Sequence, residues 1–174
     1  VSGALLNLSG SNTVPCAIVL AGATQIASKP ANGKLTLTGA FSGAQALTFA
    51  GPGETALAGA NGTILAASSI TVLSNGLLRL ENSALTNNAN RLGTMPLTLA
   101  GGSLRFSHDA GAANYSEAAG ALAVAAGSNT VSASQAAVGQ TSALTFTSVT
   151  CAGGTVNFVG DGLGESDQNR IFIT

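Results

Sequence analysis

The chain has 174 residues and a formal net charge of −1, and only 7% of its residues are charged. Nucleic acids and anionic membrane surfaces attract clustered lysine and arginine, so this composition argues against both as partners. The mean hydropathy of +0.40 comes mostly from alanine, and no run reaches the roughly 18 consecutive apolar residues of a spanning helix. No membrane insertion is therefore expected.

Short alternating strands are predicted along the whole chain. Large apolar residues recur at every second position, which is the period of a strand, for example in Leu97, Leu99, Leu104 and Phe106 around the corner Gly101-Gly102. Turn residues separate the predicted strands at 4–9, 14–20, 24–28, 34–38, 46–50, 55–58, 63–67, 69–73, 77–81, 121–125, 130–134, 143–149, 155–159 and 171–173.

Three segments are predicted as connections. Residues 84–92 read as an irregular loop or one short helical turn, 107–116 as a polar loop, and 160–169 as a loop rich in glycine and aspartate. Pro15 lacks a backbone donor, so it is expected at a bend or a strand start.

The motif L-x-L-x-G recurs, beginning at Leu6, Leu35 and Leu97 and, with Phe49 in place of the second leucine, at Leu47. Short strands of this kind build sandwiches, barrels or solenoids. The outward positions hold Thr, Ser, Asn and Ala, which tolerate direct stacking on identical neighbours better than charges do. This favours a β-solenoid with about 20 to 25 residues in each coil.

Cys16 and Cys151 lie far apart in the sequence, and neither has a nearby C-x-x-C or histidine. Two buried free thiols are favoured over a disulfide bridge or a metal site.

The segment Leu6-Asn-Leu8-Ser-Gly10-Ser-Asn12 resembles the autotransporter-associated β-strand repeat, also called the passenger-associated transport repeat, of large secreted or surface proteins of bacteria. The family pattern is L-x-L-x-G-x-N-x-Y-x-G, and here Val14 and Cys16 stand in place of its Tyr and second Gly. The resemblance implies a right-handed parallel β-helix at the bacterial cell surface or outside the cell, acting as a stalk, adhesin or surface-layer element. It supplies no catalytic residue and no cofactor.

Both ends of the chain look like cut strands, so residues 1–174 are interpreted as one solenoid segment of a longer or repeating protein. The strand-like ends also predict self-association, in which the last coil of one copy templates the first coil of the next. The residues expected at this junction are Leu5, Leu6 and Leu8 at the head and Ile171, Phe172 and Ile173 at the tail.

The alternative prediction is a binding module whose polar loops contact a glycan or a host surface. Its candidate contact residues are Asn87, Asn88, Arg91, His108, Asp109 and Tyr115.

Catalysis and metal binding have little support. His108 and Asp109 with Ser107 or Ser116 have the residue types of a nucleophilic triad, but they share one loop, whereas triads are assembled from separate parts of a fold.

The acidic and basic residues look scattered along the sequence, which argues against a polysaccharide lyase. A calcium loop at 160–167 and an ice-binding face on the pairs Thr36/Thr38 and Thr145/Thr147 are weaker alternatives. We therefore predict a non-enzymatic protein with no metal or cofactor.

Overall fold

Residues 3–174 are described by a computed structural model, and they form an all-β parallel β-solenoid, which confirms the predicted fold class. The strands, numbered in chain order, lie in three parallel sheets. The first sheet contains β1 (Leu5–Asn7), β4 (Thr24–Ser28), β7 (Ala46–Ala50), β9 (Ser69–Leu73), β11 (Leu97–Ala100), β13 (Asn114–Ala126), β15 (Thr141–Cys151) and β17 (Asn169–Ile173). The second contains β2 (Asn12–Val14), β5 (Lys34–Leu37), β8 (Glu54–Leu57), β10 (Leu77–Asn82), β12 (Ser103–His108), β14 (Ser128–Ala133) and β16 (Thr155–Val159). The third pairs β3 (Ile18–Val19) with β6 (Phe41–Ser42).

The core consists of straight rows of apolar side chains that run from coil to coil. Strand register places one inward residue of each coil directly over the next, and every member from Ile26 to Val124 in the first sheet is at most 1% exposed. This row is Leu5, Ile26, Phe49, Val72, Leu99, Val124 and Cys151. A matching row in the second sheet is Leu37, Leu57, Leu80, Phe106 and Ala133. Burial of these rows removes apolar surface from water and stabilises the stack.

The coils are longer in the second half of the chain than in the first. Leu5 pairs with Ile26, an offset of 21 residues, whereas Val72 pairs with Leu99 and Val124 with Cys151, offsets of 27 residues. The predicted length of about 20 to 25 residues therefore describes the early coils and is exceeded in the later ones. The longer coils contain the connections 83–96, 109–113 and 134–140.

A third side of the solenoid completes each coil. Ile18, Phe41 and Ile64 pair in one row, and Ala119, Phe146 and Ile173 pair in another. In β13 both Ala119 and Leu122 are buried, a spacing that breaks the period of two, and Gly120 lies between them. A Cβ at Gly120 would lie 2.4 Å from the carbonyl oxygen of Thr94, so only glycine fits where the strand turns from the third side into the first sheet.

Three predicted strands are wrong in extent, and one of them, 121–125, is only the second part of β13. The run 14–20 is two strands, because Pro15 lies at a bend between β2 and β3, as its missing donor predicts. The run 63–67 is not a strand, and in it Ile64 forms only an isolated bridge to Phe41.

The predicted polar loop 107–116 is also wrong at both ends. β12 extends to His108 because His108 pairs with Asn82, and β13 begins at Asn114 because Asn114 pairs with Thr141. Polar residues continue these strands where a neighbouring coil supplies backbone partners, so the loop is only 109–113.

The first copy of the L-x-L-x-G motif is out of register with the later ones. Leu5 and Asn7 point inward, and Leu8 is 65% exposed. The Asn7 amide donates to the carbonyl oxygen of Gly10 at 3.0 Å and to Ser28 Oγ at 3.1 Å, so a polar side chain closes this corner where leucine was expected.

Candidate functional site

Each end of the described solenoid exposes one open rung. β1 and β17 are the edge strands of the first sheet, and β2 and β16 are those of the second. Core residues are only partly covered at these ends, namely Val14 and Ile18 at the head and Val149, Val156 and Phe158 at the tail. Within residues 3–174, the apolar core is therefore only partly covered at both ends.

The residues predicted at the junction lie at these two ends. Leu5, Leu6 and Ile171 are half-buried, while Leu8, Phe172 (40%) and Ile173 (56%) are exposed. Leu8 differs from the others because it lies outside β1.

Both cysteines are free, and both are exposed. The expectation of buried thiols is wrong for the described chain: Cys16 lies in the connection between β2 and β3, and Cys151 is the last residue of β15. Cys151 is the last member of the first-sheet row after Leu99 and Val124.

The loop residue Arg91 has a structural role. Its side chain is fully buried, and its guanidinium donates to Asn82 Oδ1 at 2.8 Å and to the carbonyl oxygens of Gly59 and Gly62 at 2.9 and 3.0 Å. Burial lowers the pKa of Arg91, while nearby Glu117 acts in the opposite direction. Arg91 joins the loop 83–96 to the preceding coil, so the prediction that it contacts a ligand directly is wrong.

Glu117, which sequence reasoning missed, lies beside this arginine in the next coil. Its side chain is 1% exposed, and Oε1 accepts hydrogen bonds from the backbone N–H groups of Arg91 at 2.7 Å and Leu92 at 3.2 Å. Burial raises the pKa of Glu117 to about 8, against the lowering effect of these bonds and of the Arg91 charge. A carboxyl group that is largely neutral at pH 7 thus lies inside the coil.

His108, Asp109 and Tyr115 form a closed cluster. The rings of His108 and Tyr115 stack with centroids 4.0 Å apart and an interplanar angle of 12°, and both side chains are buried. The Tyr115 hydroxyl donates to Asp109 Oδ1, which also accepts the N–H of Gly111 at 3.0 Å. These bonds lower the pKa of Asp109, and burial raises the pKa of Tyr115.

The cluster does not form a nucleophilic triad. Ser107 Oγ accepts a hydrogen bond from Arg79 Nε at 2.6 Å, and His108 Nδ1 lies 2.9 Å from the carbonyl oxygen of Asp109. Within residues 3–174, the other ring nitrogen, His108 Nε2, is buried and has no hydrogen-bond partner, so the ring does not contact a serine hydroxyl. The residues of this cluster hold the corner between β12 and β13.

The two predicted asparagines bridge neighbouring coils. Asn87 donates to the carbonyl oxygen of Asn114 at 3.1 Å, and Asn88 donates to that of Ala60 at 3.1 Å. Asn87 is exposed and Asn88 is half-buried, so these two amides are partly used by the fold.

A charged cluster, which the sequence did not predict, lies on the outer face of the second sheet. Arg79 Nη1 and Nη2 lie 3.2 Å from Glu54 Oε1 and Glu81 Oε1, and Lys34 contacts the same two carboxylates. Arg105 Nη1 lies 3.9 Å from Glu54 Oε2. These five residues are spread widely along the chain, yet they occupy β5, β8, β10 and β12, which are adjacent in the sheet. The description of the charges as scattered is therefore wrong for this face.

Comparison with known protein families, with characterised proteins and with solved structures found no match to this chain. The resemblance to the autotransporter repeat therefore depends on short segments of this sequence alone.

The described residues contain no group of three or more His, Cys, Asp or Glu side chains placed to hold a metal ion. They also contain no helix long and apolar enough to cross a membrane.

The predicted threonine pairs do not continue from coil to coil. Thr36 has Thr13 on one side and Ala56 on the other, and Thr145 lies between Ala118 and Phe172. A regular threonine face is not formed at these positions.

Proposed function

We propose that this chain is a structural, non-enzymatic segment of an extracellular β-solenoid that extends by stacking strand edges end to end. The observation that carries the proposal is the open rung at each end, where core rows stop with partly exposed apolar side chains. The bacterial cell surface is the setting that the family resemblance implies.

Backbone groups at the ends favour this arrangement. An edge strand has one side of its N–H and C=O groups without ladder partners, and a second strand of similar direction can pair with them. Proteins usually protect such edges with charged side chains. Residues 3–28, which comprise the head coil and the first strand of the next coil, contain no Asp, Glu, Lys or Arg. Like-charge repulsion does not protect this end.

The core rows also fit a second copy. The first-sheet row begins at Leu5 and ends at Cys151, and the third-side rows include Ile18 at the head and Ile173 at the tail. In a coaxial stack Leu5 of one copy lies over Cys151 of the next, and Ile18 lies over Ile173. Every side chain in these two contacts is apolar or a thiol, so stacking continues both rows without burying a charge.

Cysteine crosslinking tests this register. In a Cys16→Ala background, Leu5→Cys places a thiol opposite the native Cys151 across the junction, where neighbouring strands are about 4.8 Å apart and within reach of a disulfide. Mild oxidation is expected to give a ladder of covalent oligomers on a non-reducing gel. Leu8→Cys in the same background is the matched control, because Leu8 is exposed but lies outside β1.

Negative-stain electron microscopy and sedimentation velocity of the unmodified protein complete the test. Filaments one coil wide, together with crosslinking of Leu5→Cys and not of Leu8→Cys, would support the proposal. Monodisperse rods without crosslinking at high protein concentration would overturn it, and equal crosslinking of both variants would overturn the register.

A further inference from the structure

The charged cluster has one more cation than it has carboxylates. It contains Lys34, Arg79 and Arg105 but only Glu54 and Glu81. Arg79 and Arg105 are direct register partners on β10 and β12, so two like charges stand side by side. Glu54, whose side chain is 15% exposed, offsets this repulsion because it contacts all three cations.

Arg105 carries the unbalanced charge of the cluster. Arg79 uses its guanidinium on Ser107, Glu54 and Glu81, whereas the guanidinium of Arg105 forms no hydrogen bond within residues 3–174. Its single ion pair is the longest of the cluster, at 3.9 Å, and its side chain is 49% exposed. A guanidinium offers five N–H donors in a planar fork that matches a carboxylate. The donors of Arg105 are therefore available to a ligand.

Two hollows flank the side chain of Arg79. The first, which we call the basic hollow, has a volume of about 360 Å³ and is lined by Asn32, Gly33, Lys34, Glu54, Arg79 and Arg105 among others. The second, the acidic hollow, also has a volume of about 360 Å³, and its polar lining includes Arg79, Glu81, Ser83, Thr86, His108 and Asp109. The first hollow offers donors with excess positive charge. In the second, the Ser83 and Thr86 hydroxyls bond each other at 2.8 Å, and Asp109 accepts from Ala84, Gly111 and Tyr115. Because a carboxylate has about four lone-pair sites, Glu81 and Asp109 can still accept further hydrogen bonds from neutral O–H groups.

We propose that these hollows form a binding site for an acidic saccharide, with the sugar carboxylate on Arg105 in the basic hollow and sugar hydroxyls in the acidic hollow. One surplus cation matches one carboxylate, and the adjoining acceptors match a ligand that carries several hydroxyl groups. Lys34 and Arg79 act as positioning residues, because they hold Glu54 against Arg105.

Other anionic ligands fit the two hollows less well. A nucleotide or nucleic acid brings several phosphate charges, and the carboxylates of Glu81 and Asp109 in the second hollow would repel them. An acidic peptide has fewer hydroxyl groups than a sugar, so it would donate fewer hydrogen bonds to the acceptors of the acidic hollow. The site is separate from the strand edges at the ends, so it does not depend on the stacking proposed above.

The experiment is a titration of the isotope-labelled protein with glucuronate, monitored by ¹H–¹⁵N NMR, with glucose and acetate as probes of the neutral sugar and of the bare carboxylate. Glucuronate is expected to shift resonances of β10 and β12, and neither glucose nor acetate should do so at the same concentration. Arg105→Gln is expected to weaken glucuronate binding about ten- to a hundredfold, which corresponds to losing a charge-assisted hydrogen bond. Arg105→Lys should recover part of the affinity, since it restores the charge without the planar fork.

Arg170→Gln is the matched control, because it removes one positive charge at the tail, outside both hollows. It should leave glucuronate binding unchanged. Absence of glucuronate shifts, equal binding by Arg105→Gln, or equal shifts with acetate would each overturn the saccharide site. Because Arg105 is half exposed and forms no hydrogen bond within the described chain, its substitution is expected to leave the fold intact, and the dispersion of the NMR spectrum checks this.

Discussion

At the residue scale, buried polar side chains connect one coil to the next. Arg91 donates to carbonyl oxygens of the preceding coil, and Glu117 accepts the backbone N–H groups of Arg91 and Leu92. Asn129 Oδ1 accepts the N–H groups of Gly101 and Gly102 at 2.7 and 3.2 Å. Each bonds backbone groups of a neighbouring coil that lie in loops or turns outside the sheet ladder and need other partners. These side chains form the hydrogen bonds that the strands do not supply to the backbone groups of loops and turns.

The pKa of Glu117 predicts a specific dependence of stability on pH. Its ordinary pKa is 4.5 and its folded pKa is about 8, so the folded protein binds the extra proton between these values. The contribution of Glu117 to the free energy of unfolding is therefore largest below pH 4.5. It decreases by up to about 1.4 kcal/mol per pH unit as the pH rises to 8.

Glu117→Gln keeps an acceptor for Arg91 and Leu92 and removes the titration. Urea unfolding at pH 5, 7 and 9 should show that this variant loses less stability than the unmodified protein over the interval. Glu165→Gln, at an exposed position, is the control and should follow the unmodified protein. If Glu117→Gln shows the same pH dependence as that control, Glu117 does not titrate as the structure indicates.

At the element scale, β13 shows how a strand passes a corner. Its first part pairs with β15 on the third side, its second part belongs to the first sheet, and Gly120 stands between them. The carbonyl oxygens of Thr94 and Met95 lie 2.4 and 2.6 Å from the position that a Cβ on Gly120 would occupy, which leaves no room for a side chain. The turn of the strand therefore requires glycine for space.

Gly120→Ala is expected to destabilise the protein by about 1 to 3 kcal/mol, because the added methyl forces backbone shifts in two coils. Gly22→Ala is the matched control: nothing lies within 4 Å of its Cβ position, so stability should be unchanged or slightly higher. Chemical denaturation of both variants provides the measurement. Equal stabilities would mean that the corner at Gly120 relaxes without cost.

At the scale of the whole molecule, each coil contacts its neighbours and little else. Strands pair with the coil before and the coil after, as in the β8, β10, β12 series of the second sheet. Stability in such a stack is approximately a sum of nearest-neighbour terms, so the end coils, which have one neighbour, are held less firmly than the central ones.

Hydrogen exchange should show this gradient. In the monomer, backbone amides of β9 to β12 should exchange most slowly, and those of β1, β2, β16 and β17 should exchange fastest. If copies stack, amide exchange should become slower at both ends. Ile173→Lys places a charge where the stacked copies would bury Ile173, so it should prevent stacking and keep amide exchange fast at the tail. Val138→Lys, on a side loop where Val138 is 93% exposed, controls for the added charge. Uniform protection along the monomer would contradict the nearest-neighbour description.

Much of the fold was predictable from local patterns. The period of two, the turn residues and the small uncharged outward positions indicate stacked short strands, because each of these signals acts within a few residues. The inward rows containing Leu97, Leu99, Leu104 and Phe106 lie where the alternation places them. The first motif failed because Asn7 finds partners at a corner, which alternation of apolar residues cannot show.

The sequence by itself determined the strand period, the narrow aliphatic core and the low charge, and these suffice for an all-β solenoid. The tertiary structure decided which polar residues meet. Arg91 and Glu117 are 26 residues apart, and Arg79 and Arg105 likewise, so their contacts depend on the length of each coil. Coil lengths vary from 20 to 27 residues because the corner loops differ, and no local pattern encodes that length. The charged cluster exists only because stacking aligns distant positions at the spacing of neighbouring strands.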